Sequence, residues 1–168
     1  MTAEEVKELL GLKPHPQEGG WYVRTYEASE TNPAETFADG RYGGPRLTST
    51  AIYYLLEPGN FSEMHMLKSD EILHFYAGDP VENLQLLPDG KSKRVLIGSD
   101  LGRGQVPQVV VSRGVWQGSR LLAGGDWALL GCTVSPGFEF ADYAGGKREE
   151  LMDGWPEAKQ MILGLTRV

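Results

Sequence analysis

The sequence predicts an all-β protein, most simply a jelly-roll barrel, with a short helix at each end. The chain has 22 Gly and 10 Pro among its 168 residues, a content that is typical of many turns and few long helices. Short apolar segments recur at nearly even spacing, and turn-forming pairs separate them, for example Pro58-Gly59, Gly124-Gly125 and Pro136-Gly137. Many short strands with such turns indicate an antiparallel barrel or sandwich.

The individual elements follow from local patterns. Thr2 and Glu5 form a capping box, and an apolar stripe that begins at Val6 stops at Gly11, so a helix is predicted there. Pro156 begins a second helical pattern that runs to residue 164. Residues 31–45 are predicted to be a polar loop, and residues 147–150 a charged, solvated turn. Strands are predicted over residues 21–26, 48–56, 60–67, 71–76, 84–87, 94–97, 108–112, 120–123, 127–135 and 139–143.

Length and charge restrict the classes of partner. The chain is most simply one domain over residues 1–168, and its 40% of hydrophobic residues can supply a core. A net charge of −7 does not provide the basic surface that a nucleic acid polymer needs, and it does not favour anionic membranes. Since there is no signal-peptide pattern and no apolar run long enough to span a bilayer, a cytoplasmic protein is expected. The one cysteine, Cys132, lies in an apolar run and is expected to be buried.

One stretch carries chemistry at a recognisable spacing. Gly59, His65, Glu71 and Gly78 resemble the first metal-site motif of the cupin superfamily, but the position where that motif repeats its histidine is Leu67. Side chains alternate between the two faces of a strand, so residues 65 and 67 share a face. Two imidazoles and a carboxylate converging there would suit a first-row transition metal. Leu67 removes one imidazole.

The second cupin motif would supply a further histidine, and Gln117 stands in that place. An amide is a poor substitute for imidazole as a ligand of first-row transition metals. We therefore expect no metal and no other cofactor. A weak divalent-metal site formed by His65, Glu71 and Gln117 stays open as an alternative.

Strand alternation also predicts which groups meet inside the barrel. If His65 and Glu71 point inward, then Leu67, Leu73 and Phe75 do so too, whereas Ile72, His74 and Tyr76 face outward. Across the turn over residues 57–60, an even loop places Ile52 opposite His65 and an odd loop places Tyr53 there, and a β-bulge or a register change would reverse the choice. Glu71 in a partly apolar cavity is expected to have a raised proton affinity, because burial disfavours its charged form.

Beyond these motifs, most of the chain resembles the DUF985 family, also called Cupin_5. The similarity lies in residues 15–16, 18–22, 24–26, 49–56, 69–71, 74–76, 78–80, 115–117 and 134–140. It implies an RmlC-like double-stranded β-helix, usually a homodimer, with no settled family activity. Gln17 departs from the family pattern as an insertion next to Glu18, and it is expected to shift the loop before Trp21.

The leading functional hypothesis is a small-molecule-binding cupin for a nucleotide, a nucleotide sugar or a sugar-like ligand. If it is an enzyme, metal-free epimerisation or isomerisation fits best, with His65 as base and Glu71 as its proton partner. Whether there is turnover stays open, because the same residues could serve non-catalytic binding, and a metal-dependent enzyme with a depleted site is a third reading. The side chains expected to contact the ligand are Tyr22, Arg24, Thr50, Tyr53, Trp116 and Gln117.

Overall fold

Two antiparallel sheets lie on either side of a shared apolar core, which confirms the predicted barrel class. The computed structural model describes residues 1–37 and 39–167. Residue 38, within the predicted loop over residues 31–45, lies outside the described part. The central cluster takes Leu56 and Leu73 from one sheet and Val81 and Ile97 from the other. The two inner faces thus bury each other.

The described residues form thirteen strands and three α-helices. The helices are α1 (Ala3–Leu10), α2 (Arg148–Gly154) and α3 (Lys159–Gly164). Short 3₁₀ turns cover Ala34–Thr36, Leu101–Arg103, Phe140–Asp142 and Pro156–Ala158. The strands are β1 (Lys13–Pro14), β2 (Trp21–Glu27), β3 (Thr31–Asn32), β4 (Arg46–Leu47), β5 (Thr50–Leu56), β6 (Phe61–Leu67), β7 (Asp70–Gly78), β8 (Val81–Leu86), β9 (Ser92–Ile97), β10 (Gln108–Val111), β11 (Trp116–Leu121), β12 (Ala128–Ser135) and β13 (Tyr143–Gly145).

The six-stranded sheet has the order β1-β2-β5-β12-β7-β10, and the five-stranded sheet has the order β13-β6-β11-β8-β9. Strands β3 and β4 form a separate pair. Because β5 and β6 belong to different sheets, the turn over residues 57–60 is a corner between sheets and not a hairpin. The predicted pairing of Ile52 or Tyr53 with His65 is therefore wrong, and Ile52 instead lies between Arg24 and Cys132.

The predicted faces of β7 agree with the structure. Leu73 and Phe75 join the central cluster. His74 lies on the outer face, where its ring stacks on that of Tyr76 with 6.3 Å between centroids. Tyr76 is 52% exposed. Alternation along a single strand was sufficient here, because the bulge of β7 in its pairing with β12 lies only beyond Phe75.

The helices cover the outer faces of the sheets. Thr2 and Glu5 make the predicted capping box, and α1 buries Val6 against Leu55. At the other end, α2 and α3 pack against the five-stranded sheet through Leu151 and Ile162. The prediction of a turn over residues 147–150 is wrong, because these residues form the start of α2. The one buried residue of α2, Leu151, comes directly after them. Residues 139–143, predicted as a strand, form a 3₁₀ turn that leads into β13.

No helix among the described residues combines the length and the apolar character that crossing a bilayer requires.

Candidate functional site

The inner face of the six-stranded sheet builds one wall of a cavity. Strand register places Thr50, Val134 and Glu71 side by side across β5, β12 and β7. Ile52 and Cys132 are neighbours in the next inward row. These residues share a face because each is two positions from the next along its strand. All five line the same cavity.

The cavity opens between this wall and the N-terminal segment. Its empty volume is about 430 Å³ with the mouth included, and little of that volume lies inside the barrel. It is therefore a narrow cleft. The other side chains that line it are His15, Glu18, Tyr22, Arg24, Leu67 and Phe138.

Glu71 is the main titratable group on the wall. The residue is 8% exposed, and the side-chain amide of Gln117 donates a hydrogen bond to its Oε2. Burial raises the pKa of Glu71 to about 7, and the negative charge of Glu18 adds to this, whereas His65 and the Gln117 hydrogen bond lower it. A carboxyl group with such a pKa can both give and take a proton near neutral pH.

His65 lies deeper than Glu71 and is 3% exposed. Its Nδ1 is 2.7 Å from the backbone oxygen of Glu63, so Nδ1 carries a proton and donates it to that oxygen. The ring stacks on Tyr143 with 5.2 Å between centroids. His65 is opposite Gln117 in the register of β6 and β11, so both belong to the inner face.

A chain of amide groups leads to Glu71 through the barrel interior. Gln85 Nε2 donates to Asn83 Oδ1 at 3.0 Å, and Asn83 Nδ2 lies 3.4 Å from Gln117 Oε1 and 2.9 Å from the hydroxyl of Ser119. Gln117 then donates to Glu71. Each amide turns its nitrogen toward Glu71, because the carboxylate at the end accepts only.

This arrangement does not fit the metal site that the cupin fold implies. Leu67 lines the cavity where a second imidazole would stand, and Gln117 turns its N–H group, not its oxygen, toward Glu71. Within residues 1–37 and 39–167, no group of three or more His, Cys, Asp or Glu side chains is placed to hold a metal ion. One imidazole, one carboxylate and one amide are therefore too few strong ligands for the weak divalent-metal site that was considered on His65, Glu71 and Gln117.

The N-terminal segment supplies two residues that strand patterns did not point to. His15 and Glu18 line the cavity, and Glu18 accepts a hydrogen bond from the hydroxyl of Ser62. Gln17 is accommodated with its side chain exposed, so the insertion leaves Glu18 directed into the cavity. The only sequence signal for them was the resemblance of residues 15–20 to the family.

The predicted ligand contacts divide into two groups. Tyr22, Arg24 and Thr50 line the cavity, and Gln117 reaches it through Glu71. Tyr53 packs in the cluster beneath α1, because it alternates with the inward residues of β5. Trp116 lies one position from Gln117 and packs beneath α2 and α3. The structure thus places Tyr53 and Trp116 away from this cavity.

The sequence relationship can now be stated. A family model described as the cupin superfamily, DUF985, matches residues 4–145. The chain belongs to this family. The match includes the cavity wall, the N-terminal segment and both cupin motif regions.

Similar proteins match most or all of the chain. A hypothetical protein from Leishmania major superposes with a TM-score of 0.89 at 31% identity and covers 100% of both chains. The uncharacterized protein YML079W of Saccharomyces cerevisiae is 30% identical over 141 residues, which is 80% of this chain and 70% of the yeast protein. Oxalate decarboxylase from Bacillus subtilis, at 14% identity and a TM-score of 0.53 over 92% of this chain and 37% of its own, shares the fold alone.

Proposed function

We propose that this cupin binds one end of a small anionic metabolite in the barrel cavity and moves a proton on it. The observation that carries the proposal is Glu71: it lines the cavity, and its pKa is raised to about 7. A buried carboxyl group with such a pKa is costly for folding, and cavities with such groups are often sites of acid–base chemistry.

The reaction class that these groups suit is epimerisation or isomerisation next to a carbonyl group. Glu71 faces the cavity and exchanges the proton. His65 lies behind it and stabilises its charged form, so the two roles are the reverse of those expected from the sequence. An enolate formed in the cavity would need a donor for its oxygen; the Gln117 amide next to Glu71 and the Thr50 hydroxyl farther along the same wall are candidates.

The ligand class follows from the narrow cavity and its mouth. Arg24 is the cationic side chain that lines the cavity, and its guanidinium can bind a phosphate or a carboxylate in two-point fashion. Arg24 pairs with Glu27 at 2.7 Å, an exposed contact that an anion can displace at little cost. A sugar phosphate, nucleotide or nucleotide sugar would place its reacting end at Glu71 and its phosphate outside.

Ligand binding is tested first by thermal shift against nucleotides, nucleotide sugars and sugar phosphates, since a ligand of the native state raises the melting temperature. The Arg24→Ala variant is expected to lose the shift for anionic compounds. No shift with any compound of these classes would contradict the proposed ligand class.

Proton transfer is then measured as deuterium uptake from D₂O into the compound that binds. We expect Glu71→Gln to abolish uptake and His65→Ala to reduce it strongly. The matched control is His74→Ala, which removes the histidine on the outer face of β7. Binding without uptake in the wild-type protein would favour the non-catalytic alternative. The homodimer expected from the family resemblance stays a prediction, which light scattering after size-exclusion chromatography measures.

A further inference from the structure

The segment from His15 to Gly20, here called the strap, joins the two sheets at the cavity. The backbone N–H of Glu63, on β6, donates to the backbone oxygen of Glu18 at 2.9 Å. The hydroxyl of Tyr54, on β5, donates to the backbone oxygen of Gly19 at 2.8 Å. The backbone of Glu18 is thereby held between the sheets, and its side chain has a defined direction into the cavity.

The carboxyl group of Glu18 is also held by side chains. The Ser62 hydroxyl donates to its Oε1. The Nδ1 of His15 accepts the backbone N–H of Glu18 at 2.9 Å, so the ring carries its proton on Nε2, which lies 4.0 Å from Oε2. Burial lowers the pKa of His15, which keeps the ring neutral. Glu18 thus faces a neutral imidazole N–H and accepts a hydrogen bond from a hydroxyl, so its side chain is held in place by two polar neighbours.

A bulge in β6 is what allows this contact. Gln117 and Ser119 are two residues apart on β11, but their partners His65 and Ser62 are three residues apart on β6. The extra residue turns both His65 and Ser62 to the inner face, where regular alternation would have put them on opposite faces. The same bulge therefore directs His65 toward Glu71 and Ser62 toward Glu18.

We propose that Glu18 is a second acid–base group of the cavity, paired with Glu71, and that His15 and Ser62 are its positioning residues. The inference deepens the proposed function and rests on it. Glu18 comes from the strap and Glu71 from the six-stranded sheet, so a ligand in the cleft meets a carboxyl group from each of two walls.

The pair suits a two-base reaction. The Glu18 carboxylate takes the proton from a carbon next to a carbonyl group, and the electrons of that C–H bond form the enolate. The Glu71 carboxylic acid then gives its proton to the same carbon from the other wall, and the enolate electrons return to form the new C–H bond. Substrate and product have the same composition, and one proton has passed from Glu71 to Glu18. Exchange with water, or turnover in the reverse direction, restores the starting state.

The pairing can be tested in the free protein, without a ligand. The titration of Glu71 is followed by carbon NMR of labelled glutamate side chains, and its signal is assigned with Glu71→Gln. Removing the Glu18 charge with Glu18→Gln is expected to lower the pKa of Glu71 by about one unit. Glu18→Asp keeps the charge and is expected to restore most of the wild-type value. Gln17→Ala changes an exposed side chain on the same strap and serves as the matched control.

A Glu71 titration that is the same in Glu18→Gln and in the wild type would overturn the pairing. If Glu18→Gln does not fold, Glu18→Ala gives the same readout, since the strap is also held through its backbone oxygen. With any compound that takes up deuterium, Glu18→Gln is expected to lose at least about 100-fold in rate, and an unchanged rate would also refute the role. No uptake with the wild type argues against the proposed function, while the NMR titration still decides the pairing.

Discussion

The raised pKa of Glu71 makes a quantitative prediction about stability. Its folded-state pKa is about 7, against a reference value of 4.5. A carboxyl group whose folded pKa is raised binds its proton more tightly in the folded state. The contribution of the protonated Glu71 to the free energy of unfolding is fully present below pH 4.5 and is lost as the pH rises through 7. Replacing Glu71 with the neutral, isosteric Gln removes this dependence.

The size of the effect follows from the difference between the two pKa values. Each unit corresponds to about 1.4 kcal/mol, so ionising Glu71 costs the folded state about 3 kcal/mol at high pH. About 2 to 3 kcal/mol of this falls between pH 5 and pH 8. The contribution of His15 to stability changes with pH in the opposite direction, because burial lowers the pKa of His15. The comparison is therefore made between variant and wild type at each pH, where the His15 contribution is common to both.

The assay is urea unfolding of the wild type and Glu71→Gln at pH 5, 6.5 and 8. We expect the variant to gain about 2 to 3 kcal/mol relative to the wild type across this range, whatever its offset at pH 5. Glu149→Gln, which removes an exposed carboxyl group on α2, is the reference for losing one surface charge. A constant difference between Glu71→Gln and wild type at all three pH values would refute the argument.

Three further predictions concern the rest of the barrel. Gly59 and Gly78 both have φ near 90°, but a Cβ at Gly78 would collide with the backbone oxygen of Trp127, whereas Gly59 has open space. Measured by urea unfolding, Gly59→Ala should lower the free energy of unfolding by about 1 to 2 kcal/mol and Gly78→Ala by about 3 kcal/mol or more. Equal losses in the two variants would contradict this argument. Asp142→Asn should cost about 3 kcal/mol, since it leaves the buried Arg46 guanidinium without its two-point partner, and Arg46→Met combined with Asp142→Leu should recover part of the loss. Elemental analysis of protein purified without chelator should find zinc, manganese, iron and nickel far below one equivalent per chain; one equivalent would contradict the donor-set argument.

Sequence patterns predicted the features that depend on one strand at a time. The inward set on β7 follows from alternation alone, and so does the convergence of Glu71 with the inner face of β6. Turn formers placed most strand boundaries within a few residues, because Gly and Pro interrupt a strand through their own backbone chemistry. The capping box of α1 is equally local. These predictions needed no knowledge of which strands pair.

The features that were missed depend on pairing or on distant contacts. Ile52 or Tyr53, depending on the loop length, was expected opposite His65 across the turn over residues 57–60, but the chain uses that turn to cross between sheets. The bulge that brings Ser62 inward is visible only when β6 is aligned with β11. Helix α2 was missed because its charged first turn precedes a single buried residue, Leu151. Glu18 lies on irregular backbone, where no periodicity predicts a facing direction.

The residues at the cupin metal positions explain why the pKa of Glu71 is raised. A bound cation beside a carboxylate lowers its pKa, so a cupin with a full ligand set would hold this glutamate ionised. Leu67 and Gln117 put an aliphatic side chain and a neutral amide at the two positions, so His65 is left as the group that lowers the pKa of Glu71 through its charge. Burial and the charge of Glu18 then dominate, and they favour the protonated form. The same substitutions thus leave Glu71 with a pKa of about 7, on which its proposed exchange of a proton near neutral pH rests.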